Sequence, residues 1–130
     1  LASDGNIRFV LKEFPILGPE SELAARFAMA VLDQGGNDAY ALVHDALMLH
    51  DGPITPAFLA ELAAEQDLSM DLLMPVMQSE DVTERLAQTR MLGQRLSISG
   101  TPTFVMNGEI LRGFLPAEAM AEVAAALRAE

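Results

Sequence analysis

Residues 97–114, Ser-Ile-Ser-Gly-Thr-Pro-Thr-Phe-Val-Met-Asn-Gly-Glu-Ile-Leu-Arg-Gly-Phe, decide how the rest of this 130-residue chain is read. Thr103–Met106 and Glu109–Gly113 are short runs rich in residues that favour pleated structure. Asn107-Gly108 sits between them, and both residues tolerate the positive φ of a tight primed turn, so the stretch predicts a β-hairpin. Ahead of it, Gly100-Thr101-Pro102 is a tight turn. The Thr101–Pro102 step is a candidate cis peptide; the other reading is an ordinary trans proline that opens a strand. A turn of the first kind leaves the N–H and C=O of Thr101 as a free edge to which an extended peptide can add.

Upstream of the hairpin the pattern changes from period two to helical. Ile7–Phe14 is rich in β-formers and apolar on both faces around Val10, which predicts an inner strand that Pro15 ends. Pro19 suits a first helical turn and Glu20 and Glu22 its positive end, while Gly35-Gly36 stops that helix. A second helix is expected from Asn37 to His50, with Tyr40, Val43, His44, Leu47 and Met48 on one buried stripe. Thr55-Pro56 opens a third helix, presenting Phe58, Leu59, Leu62 and Ala63. Ser69 and Ser79 are further N-caps, with Pro75 interrupting or bending the segment between them. From Ser79 the chain is expected to be helical to about Leu96, with Val82, Leu86, Leu92 and Leu96 towards the core. After the hairpin, Pro116 opens a last helix with Met120, Val123, Ala124 and Leu127 on one face. The order is strand, a mostly helical block over about residues 19–96, hairpin, helix. An inner strand needs neighbours on both sides, so the sheet is expected to be short by at least one strand, to be supplied by a segment before Leu1.

The length fits one domain able to bury a core, and 51% hydrophobic with 21% charged residues is an ordinary globular balance. A net charge of −11 with only 8 basic residues excludes nucleic acid as the expected partner and argues against anionic lipid. Leu23–Leu32 is the best apolar run and Arg26 breaks it, so no membrane span is expected. There is no cysteine. The N-terminus has no start methionine, basic stretch or apolar signal core, which reads as a chain cut from something longer.

Three segments carry a resemblance. Gly100-Thr101-Pro102-Thr103-Phe104-Val105 with Asn107-Gly108 and Ile110-Leu111-Arg112-Gly113 resembles the cis-proline hairpin of DsbA-like thiol–disulfide oxidoreductases. Lys12-Glu13-Phe14-Pro15-Ile16-Leu17-Gly18-Pro19-Glu20-Ser21 is similar to the strand and loop after the active-site helix in bacterial members. His44-Asp45-Ala46-Leu47-Met48 resembles a piece of their inserted helical subdomain. The similarity spans essentially the whole chain in the right order. It implies an α/β, thioredoxin-like fold with a helical insertion, whose first strand and Cys-x-x-Cys helix precede Lys12 and are missing here. Residues 1–130 are thus expected to form a single domain, incomplete at its N-terminus.

The activity implied is that of a protein disulfide oxidoreductase or isomerase acting through a cysteine pair upstream of this chain. Its substrates would be unfolded or reduced extracytoplasmic proteins, in the periplasm or its equivalent, with a redox partner protein and no cofactor. Within the chain no residue is catalytic, because methionine thioethers do not exchange, and the chain alone is expected to be redox-inactive. What carries over by position is substrate binding: Thr101 as backbone donor and acceptor, Pro102 as the cis residue, Gly100 as clearance before it. Lys12, the only lysine, lies where similar proteins place a charged group beneath the cysteines to assist proton transfer. Glu13 competes for that role, and the plainer reading is that Lys12 ends a strand and reaches solvent.

His44 and His50 are six apart, about 240° around a helix, and so cannot share one metal ion; His44 on the apolar stripe is read as a hydrogen-bonded core histidine. Methionines such as Met48 and Met120 fall at core spacing, whereas Met106 could line the hairpin near substrate. Two alternative functions stay open: a cysteine-free peptide-binding or dimerisation domain of this fold, and a glutathione-dependent isomerase of a related fold.

Overall fold

The computed structural model describes residues 3–130. Its elements are α1 (Pro19–Leu49), α2 (Pro56–Glu65), α3 (Met70–Met77), α4 (Glu80–Arg95), β1 (Thr103–Met106), β2 (Glu109–Arg112) and α5 (Ala117–Ala129). They fall into two units: Glu13–Arg90, and the described residues through Lys12 together with Met91–Glu130.

The helical unit follows the predicted punctuation. Pro19 occupies the first turn of α1 and Glu20 and Glu22 its positive end. The helix runs through the Gly35-Gly36 break only by way of a kink, because Gly36 sits at φ 84, ψ −175, a conformation open essentially to glycine alone. Gly35 has a different reason to lack a side chain: a Cβ there would lie 2.9 Å from Ala39 Cβ and 3.1 Å from Leu68 Cδ1. Thr55 caps α2, its hydroxyl accepting from Phe58 N–H at 3.2 Å, and Ser69 caps α3 through Asp71 N–H at 3.2 Å. Ser79 does the same for α4, accepting from Val82 N–H at 3.3 Å. Each cap satisfies an amide that the helix itself leaves unpaired, worth about 1 kcal/mol. Pro75 lies inside α3 rather than breaking it. The helix is short enough to tolerate one missing donor near its end.

Phe27, Ala30 and Val31 from the first limb of α1 meet Ala39 and Val43 from the second, and both pack on Leu59, Leu62 and Ala63 of α2 and Leu73 and Met77 of α3. A smaller cluster joins Ala25 and Met29 to Val82 and Leu86 of α4. Phe27, Leu59, Leu73 and Leu86 are wholly buried, each contributing roughly 1.5–3 kcal/mol of transfer free energy. Glu22 is gripped by two arginines: it pairs with Arg26 at 3.0 Å and with Arg90, while Arg26 also donates to the Met77 carbonyl at 2.8 Å. This holds α1, α3 and α4 together at one polar point.

Three expectations fail. Ile7–Phe14 is not a strand: the described residues contain a two-stranded sheet only, and Phe9, Val10 and Leu11 are exposed. β-propensity specifies a residue type that fits a pleated surface, but a strand exists only where a neighbour closes the ladder. Met48, placed on the buried stripe, is 68% exposed, and Leu92 of α4 is 41% exposed. A helical stripe marks what can be buried; the neighbouring helix covers only part of its length.

In the other unit, β1 and β2 pair antiparallel with Thr103 opposite Arg112 and Met106 opposite Glu109. Asn107 at φ 48 and Gly108 at φ 87 form the two-residue turn between them. α5 begins after Pro116 and buries Met120 and Ala124, with Val123 and Leu127 partly covered. Arg128 reaches Asp4 at 2.9 Å.

Candidate docking site

The site is built where α4 stops. The helix ends in a reverse turn with Ser97 at φ 57, where Ile98 N–H returns to Gly93 O at 2.8 Å and Ser97 N–H to Gln94 O at 3.1 Å. This is the pair of bonds that closes a helix through a left-handed residue. The chain then turns through Ser99 to Pro102, and the Thr101–Pro102 bond is cis. Three carbonyls around the turn are taken. Gly100 O accepts from Thr103 Oγ1 at 2.8 Å, Pro102 O from Gly113 N–H at 3.0 Å, and Ser97 O from Arg112 Nη1 at 2.8 Å. Neither the N–H nor the C=O of Thr101 has a hydrogen-bond partner among the described residues. Gly100, Thr101 and Pro102 are all exposed, and with Ser99, Thr103, Arg112 and Gly113 they line an open cleft of about 200 Å³.

The bracing bonds thus pin the turn on both sides and leave one residue's backbone free. An unpaired N–H and C=O on a fixed edge is what an extended peptide needs in order to pair with it. No side chain lining the cleft is a nucleophile strong enough for exchange chemistry: it offers three hydroxyls, one guanidinium and backbone. The cleft thus presents a free backbone edge and one positive charge, with no thiol among its lining side chains.

Lys12 is exposed but ends no strand, and it belongs to the same unit as the turn. Glu13 belongs to the helical unit and is half-buried there. Its Oε1 accepts from Tyr40 Oη at 2.5 Å and lies 3.9 Å from His44 Nδ1. Burial, reinforced by the hydrogen bond and charge of Glu13, pushes the Tyr40 hydroxyl far above the usual phenol range. Tyr40 and His44 stack with ring centres 6.0 Å apart. His44 therefore packs against a tyrosine and a carboxylate, while His50 stacks on Phe58 and contacts Pro53 O at 3.1 Å.

Arg112 is the cleft residue that sequence reasoning missed. The signal was present: an Asn-Gly turn at 107–108 fixes the register, and the register puts residue 112 opposite 103, beside the turn.

The family model for the DSBA-like thioredoxin domain matches residues 1–128. A thioredoxin-like oxidoreductase from Silicibacter pomeroyi is 33% identical, with a TM-score of 0.82 over 92% of this chain and 67% of its own. The thiol–disulfide exchange protein alpha-DsbA2 from Wolbachia pipientis superposes with a TM-score of 0.83 at 20% identity, covering 91% of this chain and 64% of its own. A Na(+)/H(+) antiporter, NhaA 1, from Salinispora arenicola is 34% identical over 117 residues, 88% of this chain. The chain spans only 18% of that antiporter's length. The fold is the DsbA-like thioredoxin fold, here helix-rich with a small two-stranded sheet. By the family match along nearly its full length, this chain belongs to the DSBA-like thioredoxin domain family.

Proposed function

We propose that the chain supplies the substrate-docking part of a protein thiol–disulfide oxidoreductase whose Cys-x-x-Cys pair lies in a segment ahead of Leu1. The observation that carries this reading is Thr101: a braced, exposed residue with free backbone donor and acceptor, in a DSBA-like chain without a single cysteine. Its substrates are unfolded or reduced extracytoplasmic proteins, which still present extended segments.

In the forward direction a substrate thiolate attacks the enzyme disulfide. One enzyme sulfur leaves as thiolate and a mixed disulfide forms. A second substrate thiolate then attacks that mixed disulfide, so the substrate leaves oxidised and the enzyme dithiol is left reduced. Two electrons have moved, and a redox partner protein takes them to restore the enzyme disulfide. During the mixed-disulfide stage the substrate backbone pairs with Thr101, Pro102 fixes that edge and Gly100 keeps the approach clear. A solvent-facing Lys12 suits proton delivery better than Glu13, whose carboxylate is engaged by Tyr40.

Assays of dithiol oxidation and insulin-type reduction on the chain and on its whole parent protein test the reading. The chain alone is expected to be inactive. The parent is expected to be active through a cysteine pair within about 30 residues before Leu1, the length of one strand and helix. Activity from the cysteine-free chain, or a parent without such a pair, overturns it. The antiporter match favours a second reading, a cysteine-free docking or dimerisation domain carried by a membrane transporter. A parent with an antiporter portion and no cysteine pair is the outcome that selects it.

A further inference from the structure

Arg112 is one of four Lys and Arg side chains, with Arg8, Lys12 and Arg95, that meet no carboxylate among the described residues, and it is the one of the four that lines the cleft. Arg26 and Arg90 meet Glu22, Arg85 meets Asp81, and Arg128 meets Asp4. Arg112 has no carboxylate partner among the described residues, although acidic residues outnumber basic ones 19 to 8. Its Nη1 donates to Ser97 O at 2.8 Å, which anchors the guanidinium and leaves its other N–H donors unclaimed. It is exposed, it lies opposite Thr103 in the hairpin, and it lines the same cleft as Thr101. The other lining side chains carry no charge. Glu109, the acid on the same strand, is three residues away, about 10 Å along an extended strand.

An exposed arginine in so acidic a chain, held by one bond and with its fork unpaired, matches a planar carboxylate arriving from outside. We infer that Arg112 is a specificity residue: it selects extended peptides carrying an Asp or Glu within a residue or two of the segment docked on Thr101. This inference rests on the docking reading of Thr101. Successive residues of a docked strand advance by about 3.3 Å, so a side chain one or two positions along is the one that can reach across the hairpin to residue 112.

The test titrates isotope-labelled chain with two extended peptides, each with serine for cysteine, identical except for Glu or Gln beside the docked residue. The amides of Gly100, Thr101, Thr103 and Gly113 report binding. The Glu peptide is expected to bind about five- to tenfold tighter at low salt, the gain of one charge-assisted contact at a solvated edge. That preference shrinks at high salt and disappears in Arg112→Gln, while Arg112→Lys, which keeps the charge but loses the fork, retains part of it. Unshifted Asn107 and Gly108 amides show that the variant hairpin is intact. Equal affinities for the two peptides, or a preference that survives Arg112→Gln, overturn the specificity assignment and leave docking standing. No response at Thr101 to either peptide overturns docking and this inference together. The two-peptide comparison uses the unaltered chain, so it decides the matter even if Arg112→Gln does not fold.

Discussion

Replacing Tyr40 by Phe isolates the bond that ties the segment leading into α1 to the second limb of that helix. Tyr40 is buried, and its hydroxyl donates to Glu13 at 2.5 Å across 27 residues of sequence. A hydrogen bond to a charged acceptor contributes about 1.5–3 kcal/mol. Glu13 keeps some access to water, its side chain being 20% exposed, and His44 stays nearby at 3.9 Å. The cost is therefore set near the lower end, about 1.5 kcal/mol. For a urea slope of about 2 kcal/mol per molar, the midpoint falls by about 0.7 M. In a double-mutant cycle with Glu13→Gln, the pair should couple by about 1 kcal/mol. The proton balance gives an independent readout. The folded phenol ionises above the unfolded value of 10.0, so the native state holds its proton where the unfolded chain has lost it. Tyr40 thus contributes stability in full below about pH 10, and that contribution is lost as pH rises further, by about 1.4 kcal/mol per pH unit. Tyr40 is the only tyrosine and there is no tryptophan, so absorbance follows its ionisation without interference. A Tyr40→Phe midpoint within 0.1 M of wild type, or an alkaline decline that persists in the variant, refutes this account of the contact.

Two other substitutions probe the helical unit. Gly36→Ala puts a Cβ into open space but at φ 84, so the whole penalty is backbone, about 1–3 kcal/mol by chemical denaturation; a neutral result would mean the kink relaxes into continuous helix. Glu22→Gln removes the charge shared by Arg26 and Arg90, and urea melts should show a loss of about 1–2 kcal/mol that diminishes in high salt, with the protein still folded.

Local chemistry made much of this fold legible. Asn107-Gly108 announced the hairpin, Thr55, Ser69 and Ser79 announced helix starts, and Gly35-Gly36, which reads as a helix stop, is where α1 kinks. Each of these signals acts within a few residues, where sequence and structure are tied by backbone geometry. What depends on distant partners was harder to read. Ile7–Phe14 has the composition of a strand, yet its state depends on whether another strand closes on it. Leu92 and Met48 sit on apolar stripes, and only the placement of neighbouring helices decides that they stay exposed. The Tyr40–Glu13 bond joins positions that no spacing rule connects. At the site, the turn at Gly100–Pro102 could be read directly, whereas Arg112 emerged only when the hairpin register was combined with the lining of the cleft.

We propose Thr101 as the docking edge of an active site whose sulfur comes from another segment. Amide hydrogen exchange at Thr101 tests this most directly, measured in the parent protein free and trapped as a mixed disulfide with a cysteine-containing peptide. The docking account predicts that Thr101 exchanges freely in the unliganded protein and becomes strongly protected in the trapped complex, because the peptide backbone now accepts its N–H. Unchanged exchange at Thr101 in a complex that has demonstrably formed would contradict it.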